Sequence, residues 1–376
     1  MMPEYDLKNA KRISRKARFK YVFRKAALNT SFGRHASDML RASNQEESIV
    51  KYILGIDQGG TKTVAALMGT DGRIYGAGYE KGAYFPTDGM EYAMQLIDNA
   101  ILKALNQAGC DKTHIKTAVA GITGVDWPGD EEAVTSALSR LLPAANVEVH
   151  NDCVIALYGG TFSGEGTVIC AGTGINIAIC KKNGERFVFG DYLGESLQGG
   201  CALAQRGARA VFDAAIGVGS AEKLTEAYLN FSGAKDVNEL LHKYIMEDGF
   251  CDELRFIVPE LMALAEAGDE TTRTLLCEFA DELCVYIDAG LKKMNMHDEP
   301  LDFVFAGSVF KGAGNPLRKY LEQKLKDLCP KSSVLNAKFE PVVGACIMGM
   351  LQNGAPTEAI IEQIQDSAEK MALQRK

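Results

Sequence analysis

Two short glycine-rich stretches carry the residue types that bind phosphate. The first is GIDQGGTKT, residues 55–63, and the second is ICAGTGINI, residues 169–177. Backbone N–H groups in such turns form anion-binding concavities, and the missing side chains let a phosphate approach closely. Asp57, at the mouth of the first turn, can hold a hydrated Mg²⁺ that neutralises phosphate charge. The two turns together therefore indicate the binding of a magnesium nucleotide.

The first stretch also has to be compared with the P-loop, G-x-x-x-x-G-K-[ST]. Gly55 and Gly60 have the P-loop spacing, but Thr61 follows them and Lys62 arrives one position late. A P-loop opens a helix, whereas here the strand-like YILGID precedes the glycines and TVAALMG, the turn TDG and RIYGAGY follow them. The flanks predict a turn between two strands of a hairpin.

The same plan returns later in the chain. Residues 166–190, GTVICAGTGINIAICKKNGERFVFG, read as strand, glycine turn, strand, polar turn and strand, as residues 52–78 do. This weak internal repeat predicts two lobes built from one unit of hairpin plus helix. Between and after the repeats, the spacing of apolar residues predicts helices, a further strand at 302–310, and a helix capped by Asn315. The longer predicted helices span 90–109, 131–142, 271–294 and 358–374.

The composition is that of a globular protein with two domains. The chain has 376 residues, 47% of them hydrophobic and 24% charged, and no apolar run approaches the roughly 18 residues of a membrane span. Its ten cysteines include no C-x-x-C pair, which argues against a zinc cage and a disulfide framework and predicts a reducing cytoplasm. We therefore expect no association of this chain with a membrane.

A basic segment precedes the body of the chain. No acidic residue occurs from Leu7 to Ser37, and KNAKRISRKARFKYVFRKAA has no apolar core typical of a secretory signal. It is open to interpretation as an arm for an anionic surface or nucleic acid, a transit-like peptide, or a solvated tail upstream of a natural start near Met39. We favour a disordered extension over 1–48. The whole chain has a net charge of −8, so the body that follows this basic segment is strongly acidic, which argues against nucleic acid as its partner.

In order along the chain, these motifs resemble the actin-like ATPase superfamily over about residues 49–355. The resemblance is closest to N-acetylglucosamine kinases and to the activator ATPases of benzoyl-CoA reductase and 2-hydroxyacyl-CoA dehydratase. The matching stretches are GIDQGGTKT, AVAGITGVDWPGD, HNDCVIAL, ICAGTGINIAI and FAGSVFKGAGN. The resemblance implies an α/β fold of two actin-like (ribonuclease H-like) lobes, 49–155 and 156–376, with an ATP cleft between them and a last helix that packs back on the first lobe. It also implies a homodimer.

The resemblance assigns roles to individual residues. Asp152 is implied as the general base that takes the proton of an acceptor hydroxyl, although an Asp there also suits the cap of the following helix. Asp57 is implied as the Mg²⁺ ligand. The implied ATP phosphate contacts are Gly59, Gly60, Thr61, Lys62, Gly172, Thr173 and Gly174; the adenosine contacts are Gly307 and Ser308; and the substrate contacts are Asn151, Asp191 and Glu195. The expected activity is a kinase for a small carbohydrate, with an amino sugar such as N-acetylglucosamine as acceptor.

Two departures from the kinases leave a second activity open. Phe85 stands at or near the position of their sugar-binding Asn, and FGDYLGESLQGG replaces their Gly-Asp-Glu-Gly-Ser segment. The alternative is an ATPase that activates a redox enzyme, because such activators carry a cluster-ligating Cys in Cys-Ala-Ala-Gly-Thr-Gly. Cys170 lies in Cys-Ala-Gly-Thr-Gly, one residue short, within an apolar strand where burial is expected. In the activators a helix follows this motif, whereas INIAIC here predicts a strand.

Overall fold

The computed structural model describes residues 51–312 and 314–375. The basic extension predicted for 1–48 lies outside the described residues. From Lys51 onward the chain contains two five-stranded mixed sheets with helices packed against them. The predicted α/β class with two lobes is confirmed.

The first sheet contains the first glycine turn. Its strands are β1 Tyr52–Gln58, β2 Lys62–Gly69, β3 Ile74–Lys81, β4 Ile115–Ile122 and β5 Asn146–Asn151, in the order β3-β2-β1-β4-β5. β1 is buried along its whole length and pairs antiparallel with β2, so the chain returns as a strand directly after the turn. The predicted hairpin is confirmed, and a P-loop is excluded because no helix begins there.

The register of this sheet brings three loops to one edge. β1, β4 and β5 run parallel, and Gln58, Ile122 and Asn151 lie side by side at their carboxyl ends. The helices that accompany the sheet are α1 Phe85–Asp88, α2 Met90–Ala108, α3 Asp130–Leu141 and α4 Asp152–Tyr158. Because α4 begins at the residue after β5, the position of Asp152 is set by the end of that strand.

The second sheet repeats the topology of the first. Its strands are β6 Gly166–Ala171, β7 Ile175–Cys180, β8 Arg186–Val188, β9 Asp302–Ala306 and β10 Ser333–Asn336, in the order β10-β9-β6-β7-β8. In each sheet three antiparallel strands are extended by two parallel strands on the other side. The predicted internal repeat is therefore confirmed. The short strand β10 was not predicted, since SVLN is only partly covered and shows no clear alternation.

A helical layer covers one face of the second sheet. It consists of α5 Gly199–Ala215, α6 Glu222–Ser232, α7 Val237–Met246, α8 Phe250–Glu253, α9 Val258–Glu266, α10 Glu270–Lys293 and α11 Pro316–Leu328. The predicted cap of α11 is confirmed, because the Asn315 side chain accepts a hydrogen bond from the Arg318 N–H at 2.8 Å. Among the helices of the described residues, none is long and apolar enough to cross a membrane.

Two late helices pack on the first sheet. They are α12 Pro341–Leu351 and α13 Glu358–Lys370. A Cβ on Gly55 would lie 2.3 Å from the Val342 carbonyl oxygen, and one on Gly344 would lie 2.1 Å from the Ile155 carbonyl oxygen. Glycine at both positions lets α12 lie directly against β1 and α4, the two elements that carry Asp57 and Asp152.

Candidate active site

The two glycine turns line one cavity of about 450 Å³. Most of the residues predicted for the site also line it, although they come from both sheets. The predicted residues at this cavity are Asp57, Gly59, Gly60, Thr61, Lys62, Asn151, Asp152, Gly172, Thr173, Gly174 and Asp191. The structure therefore brings the two halves of the predicted phosphate site together.

The first turn is closed by its own backbone and left open toward the cavity. The Gly59 N–H donates to the Lys62 carbonyl oxygen at 2.9 Å. Gly82 lies against its outer side, where a Cβ would come within 2.5 Å of Gly60, whereas a Cβ on Gly60 itself would meet nothing within 4 Å. An anion can therefore approach the backbone of this turn from the cavity.

The second turn is attached to the start of a helix. The Gly172 N–H donates to the Gly174 carbonyl at 2.8 Å, and the N–H groups of Gly200 and Cys201 donate to the carbonyls of Gly172 and Thr173. Gly200 and Cys201 belong to the first turn of α5, so the turn lies at the positive end of a 17-residue helix. This end of the cavity favours a negatively charged ligand.

Asp57 is a buried carboxyl group that faces the cavity. Its residue is 6% exposed, and no hydrogen-bond donor of the described residues contacts its carboxylate. Burial raises the pKa of Asp57 to about 6, while the nearby Lys62 acts in the opposite direction. No group of three or more His, Cys, Asp or Glu side chains in the described part of the chain could hold a metal ion. One carboxylate beside the two glycine turns fits Mg²⁺, which typically binds one or two carboxylates together with waters and phosphates.

Asp152 is the first residue of α4, and its neighbour caps that helix. The Asn151 side chain accepts a hydrogen bond from the Cys153 N–H at 3.0 Å, so the interpretation of Asp152 as the capping residue is wrong. Burial, with added repulsion from Asp57 and Asp126, raises the pKa of Asp152 to about 7. A carboxyl group with this pKa is matched to accept a proton near neutral pH.

A chain of hydrogen bonds lines another part of this cavity. Asn151 Nδ2 donates to Asp126 Oδ1 at 2.7 Å, and Asn176 Nδ2 donates to Asn151 Oδ1 at 3.3 Å. Asn176 Oδ1 in turn accepts from the Gly190 N–H at 2.9 Å. We call this region, together with Tyr84 and Asp191, the acceptor end of the cavity. It links the first sheet to the second and offers amides and carboxylates to a polar ligand.

Three residues at the acceptor end were missed by the sequence analysis. Asp126 lies in GVDWP, in the loop after β4. Because β4 is the parallel neighbour of β1, this loop lies beside the end of β1, and that position could have identified Asp126 as a site residue. Asn176 follows the second glycine turn, and Tyr84 follows the first hairpin. Phe85, the residue noted at this place in the sequence, packs instead against the hydrophobic core.

Glu195 is not brought to the cavity. It begins a 3₁₀ turn, Glu195–Leu197, in which Leu197 is 1% exposed and fixes the turn to the core while Glu195 is exposed. The burial of Leu197 therefore directs Glu195 away from the site, in contrast to Asp191, which lines the acceptor end.

A second cavity of about 540 Å³ adjoins the first and shares Gly172 and Thr173 with it. The predicted Ser308 lines it. Gly307 lies behind it with φ +98°, where a Cβ would lie 1.9 Å from the Ala171 carbonyl oxygen. The cavity is also lined by residues that were not among the predicted contacts. Most come from the region around α9 and the loop after Ser308, and they include Arg255, Phe256, Val258, Pro259, Met262 and Lys311. A mainly apolar pocket with two cations suits a nucleoside joined to phosphates.

Cys170 lines the first cavity at the end of β6. Burial raises the pKa of its thiol to about 12, so the thiol stays protonated. The element after the turn is the strand β7, as the alternation of INIAIC predicted.

Comparison with known proteins gives a family match over most of the chain. Residues 54–349 match the BadF/BadG/BcrA/BcrD ATPase family. An N-acetylmuramic acid/N-acetylglucosamine kinase from Clostridium acetobutylicum is 23% identical over 309 residues, which cover 80% of this chain and 98% of the relative.

Solved structures show the same fold at low identity. A putative N-acetylglucosamine kinase from Chromobacterium violaceum superimposes with a TM-score of 0.61 at 20% identity, covering 80% of this chain and 99% of the other. A ROK family glucokinase from Streptomyces griseus, in complex with glucose and AMPPNP, gives 0.51 at 20% identity, with coverages of 81% and 100%. The architecture is therefore that of the actin-like sugar kinases.

Proposed function

The chain belongs to the BadF/BadG/BcrA/BcrD ATPase family, and we propose that it transfers a phosphoryl group from ATP to a hydroxyl of an amino sugar, with N-acetylglucosamine as the first candidate. The observation that carries the proposal is the Asp152 carboxyl group. It shares one cavity with both glycine turns, and its pKa of about 7 suits proton transfer. A hydrolase acting on water alone would not need the polar acceptor end beside it.

Each part of the two cavities then has a role. The backbone N–H groups of the two turns and the Lys62 ammonium bind the phosphates, and the second cavity takes the adenosine. Asp57 would hold Mg²⁺, which neutralises charge on the transferring phosphoryl group. Asp152 accepts the proton of the acceptor hydroxyl as that oxygen attacks phosphorus. The protein contributes mainly positioning and charge compensation, which is what phosphoryl transfer requires.

The acceptor end supplies the contacts that orient the sugar. Asn151, Asp191, Asp126 and Asn176 present amides and carboxylates that can bind hydroxyl and amide groups. In this proposal the segments 49–155 and 156–376 act as the two lobes around the acceptor. The late helices α12 and α13 contribute to the first lobe through their packing.

The proposal is tested by incubating the protein with ATP, Mg²⁺ and a panel of neutral, acylated and acidic sugars. Mass spectrometry of the products should detect one phosphorylated sugar with stoichiometric ADP. Asp152→Asn should abolish most of this activity while retaining ATP binding, measured by calorimetry. Steady ADP release with no phosphorylated sugar from any member of the panel would contradict the proposal.

The position of Cys170 keeps the activator ATPase as a second candidate. Cys170 lines the first cavity near the second glycine turn, and the activators carry their cluster-ligating Cys just before the corresponding motif, one residue further from it. An iron–sulfur protein would be brown and absorb near ~400 nm after anaerobic purification. A colourless protein that phosphorylates sugar supports the kinase, and a coloured ATPase supports the activator. Light scattering on the same sample tests the implied homodimer.

A further inference from the structure

A chain of three charged side chains leads away from the first glycine turn. Lys62 Nζ lies 2.8 Å from Glu340 Oε2, and Arg375 Nε lies 3.8 Å from Glu340 Oε1. The two cations therefore share one carboxylate, each on a different oxygen. Lys62 is half exposed at the cavity, whereas the side chains of Glu340 and Arg375 are 19% and 11% exposed.

The backbone places Arg375 at this site independently of its side chain. The Glu340 N–H donates to the Leu373 carbonyl, and the Arg375 N–H donates to the Lys338 carbonyl, both at 2.9 Å. Phe339 and Gln374 form an antiparallel bridge between these bonds. Residues 373–375 are thus paired with residues 338–340, and a substitution of the Arg375 side chain leaves this pairing in place.

The three charges act on the phosphate cavity. Lys62 lines the cavity, and so does Pro341, the residue directly after Glu340. All three charges influence the pKa of Asp57. Lys62 and Arg375 lower this pKa, and Glu340 raises it. Arg375 is not among the residues that line the cavity, so its effect on the phosphate site passes through the Glu340 carboxylate that it shares with Lys62.

We propose that Glu340 and Arg375 are positioning residues for Lys62, and that Arg375 sets how firmly Glu340 holds the Lys62 ammonium. Glu340 keeps Lys62 at the cavity. Arg375 pairs with the same carboxylate and so weakens the Lys62–Glu340 ion pair, which leaves the Lys62 ammonium available to a phosphate. The inference rests on the proposed function only in requiring that a nucleotide binds; it does not depend on the acceptor.

The opposite assignment makes a different prediction. If residues 373–375 only tie the chain together, the side chain of Arg375 affects the thermal midpoint of unfolding and leaves nucleotide affinity unchanged. If Arg375 acts through Glu340 and Lys62, Arg375→Gln lowers affinity for ATP by roughly three- to tenfold, the range expected for coupled charges. The turnover number at saturating ATP and the KM for the acceptor stay close to their original values.

Calorimetric titration with Mg-ATP, without any sugar, measures this effect directly. We expect weaker binding for Arg375→Gln, near-normal binding for Arg375→Lys, and no further loss when Arg375→Gln is added to Lys62→Gln. Lys338→Gln is the matched control, since it removes an exposed positive charge from the same paired segment, and it should leave ATP affinity unchanged.

Three outcomes would overturn the inference: unchanged ATP affinity in Arg375→Gln, a loss of the same size in the Lys62→Gln background, or an equal loss in Lys338→Gln. Normal ATP binding and the expected variant effects without sugar phosphorylation would refute the proposed function and leave this inference standing. Thermal melts of all variants show whether each protein is folded.

Discussion

The pH dependence of catalysis follows from the burial of Asp152. Its pKa of about 7 lies well above the ordinary value of an aspartate because the carboxyl group is desolvated and lies near Asp57 and Asp126. Only the ionised form can accept the proton of the acceptor hydroxyl. Activity should therefore rise with pH through the neutral range, at a higher pH than an exposed aspartate would give.

The size of the effect follows from that pKa. With a midpoint near pH 7, about a tenth of Asp152 is ionised at pH 6 and about nine tenths at pH 8, so kcat/KM for the acceptor should rise roughly tenfold between them. Asp152→Asn should lower kcat by about 10²–10⁴-fold and remove this rise. Asp126→Asn should move the midpoint to lower pH, because the Asp126 charge contributes to raising the pKa of Asp152.

The assay is initial-rate ADP formation at saturating Mg-ATP over pH 5.5–9, with product identity checked by mass spectrometry. A profile that is flat from pH 6 to 8 in the unmodified protein would refute the reasoning from burial. An unchanged profile in Asp152→Asn, with activity near the original level, would remove Asp152 as the base. Ser136→Ala, a substitution on helix α3 outside both cavities, serves as the matched control.

Three other predictions test the same geometry. At pH 8, Asp152→Asn should raise the free energy of unfolding by about 1 to 4 kcal/mol, and near pH 4 this difference should vanish. The reason is that the folded state keeps the Asp152 proton up to about pH 7, whereas the unfolded state loses it near pH 4, so the stability of the unmodified protein falls as pH rises between these values. Gly307→Ala should destabilise the protein more than Gly312→Ala in urea titrations. Both glycines have φ +98°, which alone costs an alanine about 1–3 kcal/mol, but only at Gly307 would the Cβ meet the Ala171 carbonyl. Equal losses of stability would contradict this. N-acetylglucosamine should be phosphorylated with a higher kcat/KM than the carboxylate-bearing N-acetylmuramic acid, because the acceptor end presents carboxylates and, within the described residues, no Lys or Arg; an equal or reversed preference would show that the acidic sugar is accommodated elsewhere.

The hairpins and glycine turns could be predicted from sequence because their signals are local. Strand β1 is an uninterrupted apolar run before a glycine pair, and β7 alternates after another, so the strand assignment needs no distant contact. The position of Asp152 was equally local, since a polar break between a strand and a helix marks the edge of a parallel sheet.

The parts that sequence could not predict depend on contacts between distant segments. Arg255 and Phe256 reach the second cavity only because α9 packs beside the loop after β9. Glu195 looked as suitable as Asp191, but the burial of nearby Leu197 turns it outward. Such choices are made by tertiary packing, which the local sequence pattern does not record.

Helix α12 connects these distant effects, because a single element positions both carboxyl groups proposed for catalysis. Gly55 allows its backbone to approach the strand that carries Asp57, and Gly344 allows it to approach the helix that begins with Asp152. The residue before its first turn, Glu340, forms an ion pair with Lys62 of the first glycine turn. A displacement of α12 would therefore move the proposed metal ligand, the proposed base and the Lys62 ammonium relative to one another. Gly344→Ala should accordingly lower kcat and ATP affinity together, whereas substitution of Asp191, at the acceptor end, should change mainly the KM for the sugar.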